Sequence, residues 1–206
     1  MRAFFSRKGQ RHFPGWYYAV TTGRHVGFES WLERDHAMLL DFDPQVVGLA
    51  SQPFWLHWTV EAERRRHAPD YFVRKADGTG VVLDVRADDR IEPRDAQAFE
   101  ATRRACGLVG WEFRRLGTMT PLFVRNLRWI SRYRHPRCRG PAGVAERLLE
   151  VFAQARPLFE GAGMVGDRLL VLPVLYHLLW CGHLSADLHA RVLDTSTMVS
   201  VEERAR

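Results

Sequence analysis

Lysine is almost missing from this chain. Of its 30 basic residues only Lys8 and Lys75 are lysines, and the other 28 are arginines. Cysteine is scarce too. Cys106, Cys138 and Cys181 lie far apart and form no CxxC pair, which argues against a disulfide framework and against a structural zinc site. No apolar run reaches the length of a bilayer span; the longest, Leu169 to Leu179, is interrupted by Pro173 and His177. The opening MRAFFSRKGQRHF lacks the apolar core of a signal peptide. These absences lead us to expect a cytoplasmic protein with no membrane association. There is also no internal repeat and no low-complexity tract.

What remains is ordinary in bulk and unusual in charge. The 206 residues are 46% hydrophobic and 26% charged, enough for one domain, or for one domain and a small second one. The net charge is +6. Arginine grips phosphate in a bidentate fork, so a positive, arginine-rich chain favours a polyanionic partner. An arginine bias inherited from a GC-rich genome accounts for the same composition.

In chain order, residues 1–27 are basic and turn-rich, with WYYAV as a short strand and TTGR as a turn; residues 1–12 are expected to be flexible. FESWLERDHAMLLDF has the spacing of an amphipathic helix, 28–41, and Asp43-Pro44 stops it. VVGLA and PFWLHWTV read as strands and ERRRH as a solvated turn. PRDAQAFEATRRACG is a helix with proline at its start and Gly107 past its end. GWEFRRL is a strand, and PLFVRNLRWISRYR a strongly basic helix. The sequence 134–143, RHPRCRGPAG, is read as a linker. Beyond it VAERLLEVFAQ and DRLLVLPVLYHLLWCG are helices, and LSADL and STMVSVEE are short strands or a wing. His177 is expected at a core position of its helix rather than in a zinc site with Cys181 and His183. The order of elements predicts an α/β fold, a mixed sheet with helices against it.

The chemistry concentrates between Arg66 and Arg90. YFVRK, a turn at ADG and VVLDVR form a hairpin. Asp70 and Asp84 are each seven residues from Asp77, so they face one another if the loop holds an odd number of residues. A three-residue loop with Gly78 left-handed satisfies this. Arg86, two residues beyond Asp84, falls on the same face. Glu29 and Glu33 share a face of the preceding helix. If that helix packs beside the hairpin, one glutamate completes a three-carboxylate cluster. Such a cluster repels itself and suits Mg²⁺ or Mn²⁺. Arg125, Arg128 and Arg132, interleaved with Trp129 and Tyr133, suit contact with a nucleic-acid backbone, and so do Arg64, Arg65 and Arg66.

A helix carboxylate, Pro-Asp (Pro69-Asp70) opening one strand and Asp-x-Arg (Asp84 to Arg86) ending the next resemble the PD-(D/E)xK nuclease superfamily. Within it, FESWLERDHAMLLDFDPQVVGLASQPFWLHW resembles the TnsA family, endonuclease subunits of heteromeric cut-and-paste transposons. The shared features are a Glu-bearing helix with Glu33 nine residues before Phe42, an aromatic-acidic-Pro stop, a short strand and Gln52-Pro53. The resemblance covers residues 13–133, and the segment 142–200 is similar to the smaller C-terminal module of that family.

The resemblance implies a restriction-endonuclease-like mixed sheet flanked by helices over 1–133. It also implies a small, mainly helical, winged-helix-like module over 144–206 that docks partners or DNA. It implies Glu33, Asp70 and Asp84 as ligands of Mg²⁺ or Mn²⁺, Arg86 in the place of the family's lysine, and Gln52 as a DNA contact. The reaction implied is metal-dependent hydrolysis of a phosphodiester at the 5′ ends of a transposon in double-stranded DNA. A DDE-type transposase cuts and joins the 3′ ends, and an AAA+ ATPase regulates both. Arginine is not deprotonated in proteins, so Arg86 is no general base. That departure leaves two alternatives open: a catalytically weakened DNA-binding scaffold of the same assembly, and a stand-alone nuclease of the same fold.

Overall fold

The computed structural model describes residues 14–202, so the expectation for residues 1–12 lies outside the described residues. The chain divides into two compact units, Met1–Thr118 and Met119–Arg206.

In the first unit, β1 (Gly15–Ala19) and β2 (Arg24–Phe28) form a hairpin around the predicted TTGR turn. Helix α1 follows at Trp31–Phe42. It starts three residues later than its apolar spacing suggests, because Phe28 ends β2 and Ser30 caps the helix by accepting from the Glu33 N–H. Strands β3 (Val46–Ser51), β4 (Leu56–Val60), β5 (Glu63–His67), β6 (Tyr71–Lys75) and β7 (Gly80–Val85) come next, then α2 (Pro93–Leu108) and β8 (Glu112–Leu116). The expected mixed sheet is present. Its order is β3-β6-β7-β8, antiparallel except for the β7/β8 pair.

β7 is an interior strand and every residue in it is buried. Its valines and Leu83 belong there. Asp84 does not, unless something compensates its charge.

One expectation fails at ERRRH. Rather than a turn, it is β5, paired antiparallel with β4 in a two-stranded ribbon. Glu63 to Arg66 are all exposed, so no inside-outside alternation marks them as a strand. The turn between β4 and β5 holds Glu61 and Ala62 at φ +48° and +67°, a left-handed pair usually supplied by Asn-Gly.

The second unit contains α3 (Pro121–Ile130), α4 (Val144–Val151), β9 (Arg156–Pro157), α5 (Leu158–Val165), α6 (Arg168–Trp180), β10 (Leu184–Ser185) and β11 (Met198–Val201). Its three short strands form a sheet in the order β10-β11-β9. Segment 134–143 is not a linker between domains. It carries a 3-10 turn at Pro136–Arg139, and it packs so closely on α6 that a Cβ on Gly140 would meet Val174 at 2.3 Å. The basic helix α3 belongs to this unit as well. Asn126 on its inner side donates to the carbonyls of Leu188 and Arg191 and accepts from the Leu193 N–H. Helix α5 has glycines that weaken any helix signal. Gly161 is needed because a side chain there would strike the Phe152 ring, 2.3 Å from the ideal Cβ. His177 is buried in α6, with Nδ1 at 2.7 Å from the Tyr133 carbonyl, a core position as expected.

Among the described residues no single helix is long and apolar enough to cross a membrane.

Candidate active site

The hairpin fixes the geometry. Tyr71 pairs with Leu83, Phe72 with Val82, Val73 with Val81 and Arg74 with Gly80. The same register continued one pair outward sets Asp70 opposite Asp84. The loop is the three-residue one: Lys75 N–H donates to Thr79 O, Gly78 N–H to Lys75 O, and Gly78 has φ +89°. Asp77 stabilises the turn by accepting from the Thr79 N–H at 2.8 Å. Lys75 lies at this far end of the hairpin, away from the aspartates.

Asp70 is held from both sides. Its carbonyl accepts from the Gln52 N–H at 2.8 Å, and its Oδ2 accepts from the Val85 N–H at 2.7 Å. Gln52 takes a left-handed φ of +43° to make this contact. Its side chain is buried, 5% exposed, with Oε1 lacking a partner. Gln52 thus positions Asp70 through its backbone N–H, with its side chain buried. The reason is the bend at the end of β3, which turns the residue inward.

Glu33 sits in the first turn of α1. Its Oε1 accepts from Ser30 Oγ at 2.8 Å and its Oε2 from the Glu29 N–H at 2.7 Å. With Ser30 accepting the Glu33 N–H in return, the two side chains cap the start of α1 reciprocally. Tyr71, at the start of β6, ties the same turn to the sheet by donating to the carbonyls of Gly27 and Glu33, each at 3.2 Å. Glu29 lies in the turn before α1, not on its face.

The acids act on one another electrostatically. Burial, then the Glu33 and Asp84 carboxylates, raise the pKa of Asp70 well above the usual range; Glu29 adds to this, and the Val85 N–H opposes it. Burial and the same Glu33 and Asp70 charges also raise Tyr71, keeping its phenol a donor.

Two partners were not anticipated from the sequence. Asp84, 2% exposed, receives His67 Nε2 at 2.8 Å from Oδ1 and 3.0 Å from Oδ2. His67 is the last residue of β5, paired with Leu56. Arg86 departs from its expected place beside the aspartates. Its Nε and Nη2 lie 3.0 and 2.8 Å from Asp95 Oδ2, in the first turn of α2. Asp95 also accepts the Glu92 N–H in a capping box, so a carboxylate fixed by its own helix captures the guanidinium. This pair is partly exposed, 38% and 16%. Replacing either residue with Ala is expected to cost about 1 kcal/mol, and a urea double-mutant cycle should show coupling rather than simple addition.

Among the described residues, no three His, Cys, Asp or Glu side chains stand together at metal-holding distances. Each acid has another partner: Glu33 the cap, Asp70 the Val85 N–H and Asp84 the imidazole. The donor set itself fits a divalent cation. Glu33 and Asp84 destabilise the charge on half-buried Asp70, while the arginine placed nearest in sequence is engaged by Asp95.

The basic residues fall on two surfaces. Arg64, Arg65 and Arg66 are exposed on β5. Arg65 pairs with Glu63, and Arg66 lies over the Trp55 ring at 4.9 Å. Arg125, Arg128 and Arg132 are exposed along the second unit's α3 and the turn after it, and Arg132 lies over the Trp129 ring at 5.0 Å.

Nothing local signalled His67 or Asp95, whose partners lie 17 and 9 residues away. Comparison of the chain with protein-family models and with curated proteins finds no match.

Proposed function

We propose that this chain is a metal-dependent DNA endonuclease of the TnsA type, cutting the 5′ ends of a transposon as one subunit of a heteromeric transposase. The observation that carries the reading is the hairpin register. It sets Asp70 opposite Asp84, with Glu33 near enough to raise the Asp70 pKa. Glu33, Asp70 and Asp84 would hold Mg²⁺ or Mn²⁺. Bound there, the ion would supply a water of lowered pKa and neutralise charge on the scissile phosphate.

The chain's own residues orient this site. Val85 N–H and Gln52 N–H fix Asp70, Tyr71 fixes the α1 terminus, and the β4–β5 ribbon brings Arg64 to Arg66 next to His67. The β3-β6-β7-β8 sheet with α1 and α2 supports a restriction-endonuclease-like core. In the second unit, the order α4, β9, α5, α6, β10, β11 and the β10-β11-β9 sheet support a winged-helix-like module. Double-stranded DNA, a DDE-type transposase and an AAA+ ATPase are the partners this reading entails.

The Arg86–Asp95 pair favours a second reading, a catalytically weakened subunit that binds DNA and scaffolds the transposase. One assay separates the two. The protein is incubated with a DDE-type transposase, transposon-end DNA and Mg²⁺ or Mn²⁺, and nicks are mapped. Nicks at 5′ ends that vanish in Asp70→Asn support the nuclease. DNA binding without such nicks supports the scaffold.

The arginines on the α3 surface have their own test. Changing Arg125, Arg128 and Arg132 together to Ala should flatten the log–log dependence of DNA affinity on salt. A change in slope of roughly 2.7 is expected if each contacts one phosphate. An unchanged slope removes this surface from the interface.

A further inference from the structure

Asp84 is the one charged residue of a strand otherwise made of glycine, valine and leucine, and all of it is buried. Both oxygens of this carboxylate are met by one atom, His67 Nε2, at 2.8 and 3.0 Å. We propose that His67 is a nitrogen ligand of the divalent ion at this site and makes the site selective for Mn²⁺ over Mg²⁺. The proposal rests on the nuclease reading and adds a ligand to it.

The distances are those of a hydrogen bond, and they also suit two ligands of one ion. Two neighbouring ligands of an octahedral ion, each ~2.1 Å from it, lie roughly 3 Å apart. Nε2 and the Asp84 oxygens already have that separation. An ion entering between the imidazole and the carboxylates would take the place of this hydrogen bond, bound by the Nε2 lone pair of the neutral ring in the tautomer with its one proton on Nδ1, and needs no movement of β5. The backbone of His67 is held by its pairing with Leu56, while its side chain is a quarter exposed (25%), so an ion can reach it from solvent. Arg86 offers no competing cation, because Asp95 holds it.

The donor chemistry then sets the preference. Mg²⁺ favours all-oxygen surroundings, whereas an imidazole among carboxylates favours a transition ion. Of the two ions that the carboxylates suit, that is Mn²⁺.

The test uses the full chain and Mn²⁺ itself. Pulsed electron paramagnetic resonance of bound Mn²⁺ should show modulation from a directly coordinated nitrogen in the wild type. The modulation should be absent from His67→Ala and from His67→Gln, which keeps a polar side chain. Mn²⁺ affinity should fall tenfold or more in both variants, while Mg²⁺ affinity, read by competition, should change less than threefold. Nitrogen modulation that persists in both variants overturns the proposal, as does equal weakening of both ions. A wild-type protein that binds neither ion brings down the nuclease reading itself. So does an Asp70→Asn variant that binds Mn²⁺ as well as the wild type. Normal Mn²⁺ binding without nitrogen modulation removes His67 alone.

Discussion

Asp70→Asn is expected to lower DNA nicking by about a thousandfold and, at the same time, to raise the melting temperature of the metal-free protein. The two effects have one origin. Asp70 is half-buried, and desolvation together with the Glu33, Asp84 and Glu29 carboxylates raises its pKa. Asparagine keeps an oxygen to accept the Val85 N–H at the same position but carries no charge, so the repulsion disappears and so does the ligand.

The sign of the pH dependence follows. A carboxyl whose folded-state pKa is raised binds more protons folded than unfolded, so its charge lowers stability as pH rises. The penalty is absent below the ordinary value of 3.8 and complete above the raised one. The melting temperatures of wild type and Asp70→Asn should therefore converge in acid and separate toward neutral pH. For a chain of this size the gap is about 3 °C for each kcal/mol of repulsion relieved. Added Mn²⁺ should stabilise the wild type and leave the variant unmoved. A variant less stable than the wild type at neutral pH would mean that Asp70 is structural rather than strained by its neighbours.

Asp41→Ala is expected to be the most destabilising single change near the site, by about 3–5 kcal/mol, a large part of the total stability of a typical domain. Asp41 is buried near the end of α1. It accepts from Tyr17 Oη at 2.8 Å, the Thr21 N–H at 2.9 Å and the Val20 N–H at 3.2 Å, and its own carbonyl accepts from Thr21 Oγ1. Alanine strands three donors, two of them backbone groups of the β1–β2 turn. Because α1 also carries Glu33, the loss reaches the candidate site, and nicking should fall with stability. The melting temperature should drop by roughly 10 °C, with Asp41→Asn intermediate because it keeps an acceptor. A drop below about 2 °C for the alanine variant would show that water replaces these bonds at little cost.

The pairing of Asp70 with Asp84 was legible because hairpin register is a local property. It needs only the symmetry about Asp77 and a glycine able to take φ +89° at position 78. The mixed sheet was legible for a related reason: β7 is a near-continuous apolar run, as a strand covered on both faces must be. The side chains around the aspartates were not. Arg86 follows Asp84 by two residues and shares its face in principle, yet Asp95 on α2 takes the guanidinium, a choice made by tertiary packing. His67 follows three arginines with no buried face to reveal a strand. Helix α1 misled in the same way. Its buried positions include Asp35, His36 and Asp41, because each found a partner, and its apolar Trp31 is exposed. The basic, glycine-rich stretch 134–143 had the composition of a linker, but its Gly140 serves close approach to α6.

The central claim is that the hairpin aspartates form a divalent-metal centre, and anomalous diffraction tests it most directly. Crystals of the full chain grown with Mn²⁺ would be measured at the manganese edge. The account predicts one strong peak within about 2.5 Å of carboxylate oxygens of both Asp70 and Asp84. A crystal saturated with Mn²⁺ that shows no peak between those two side chains would contradict it.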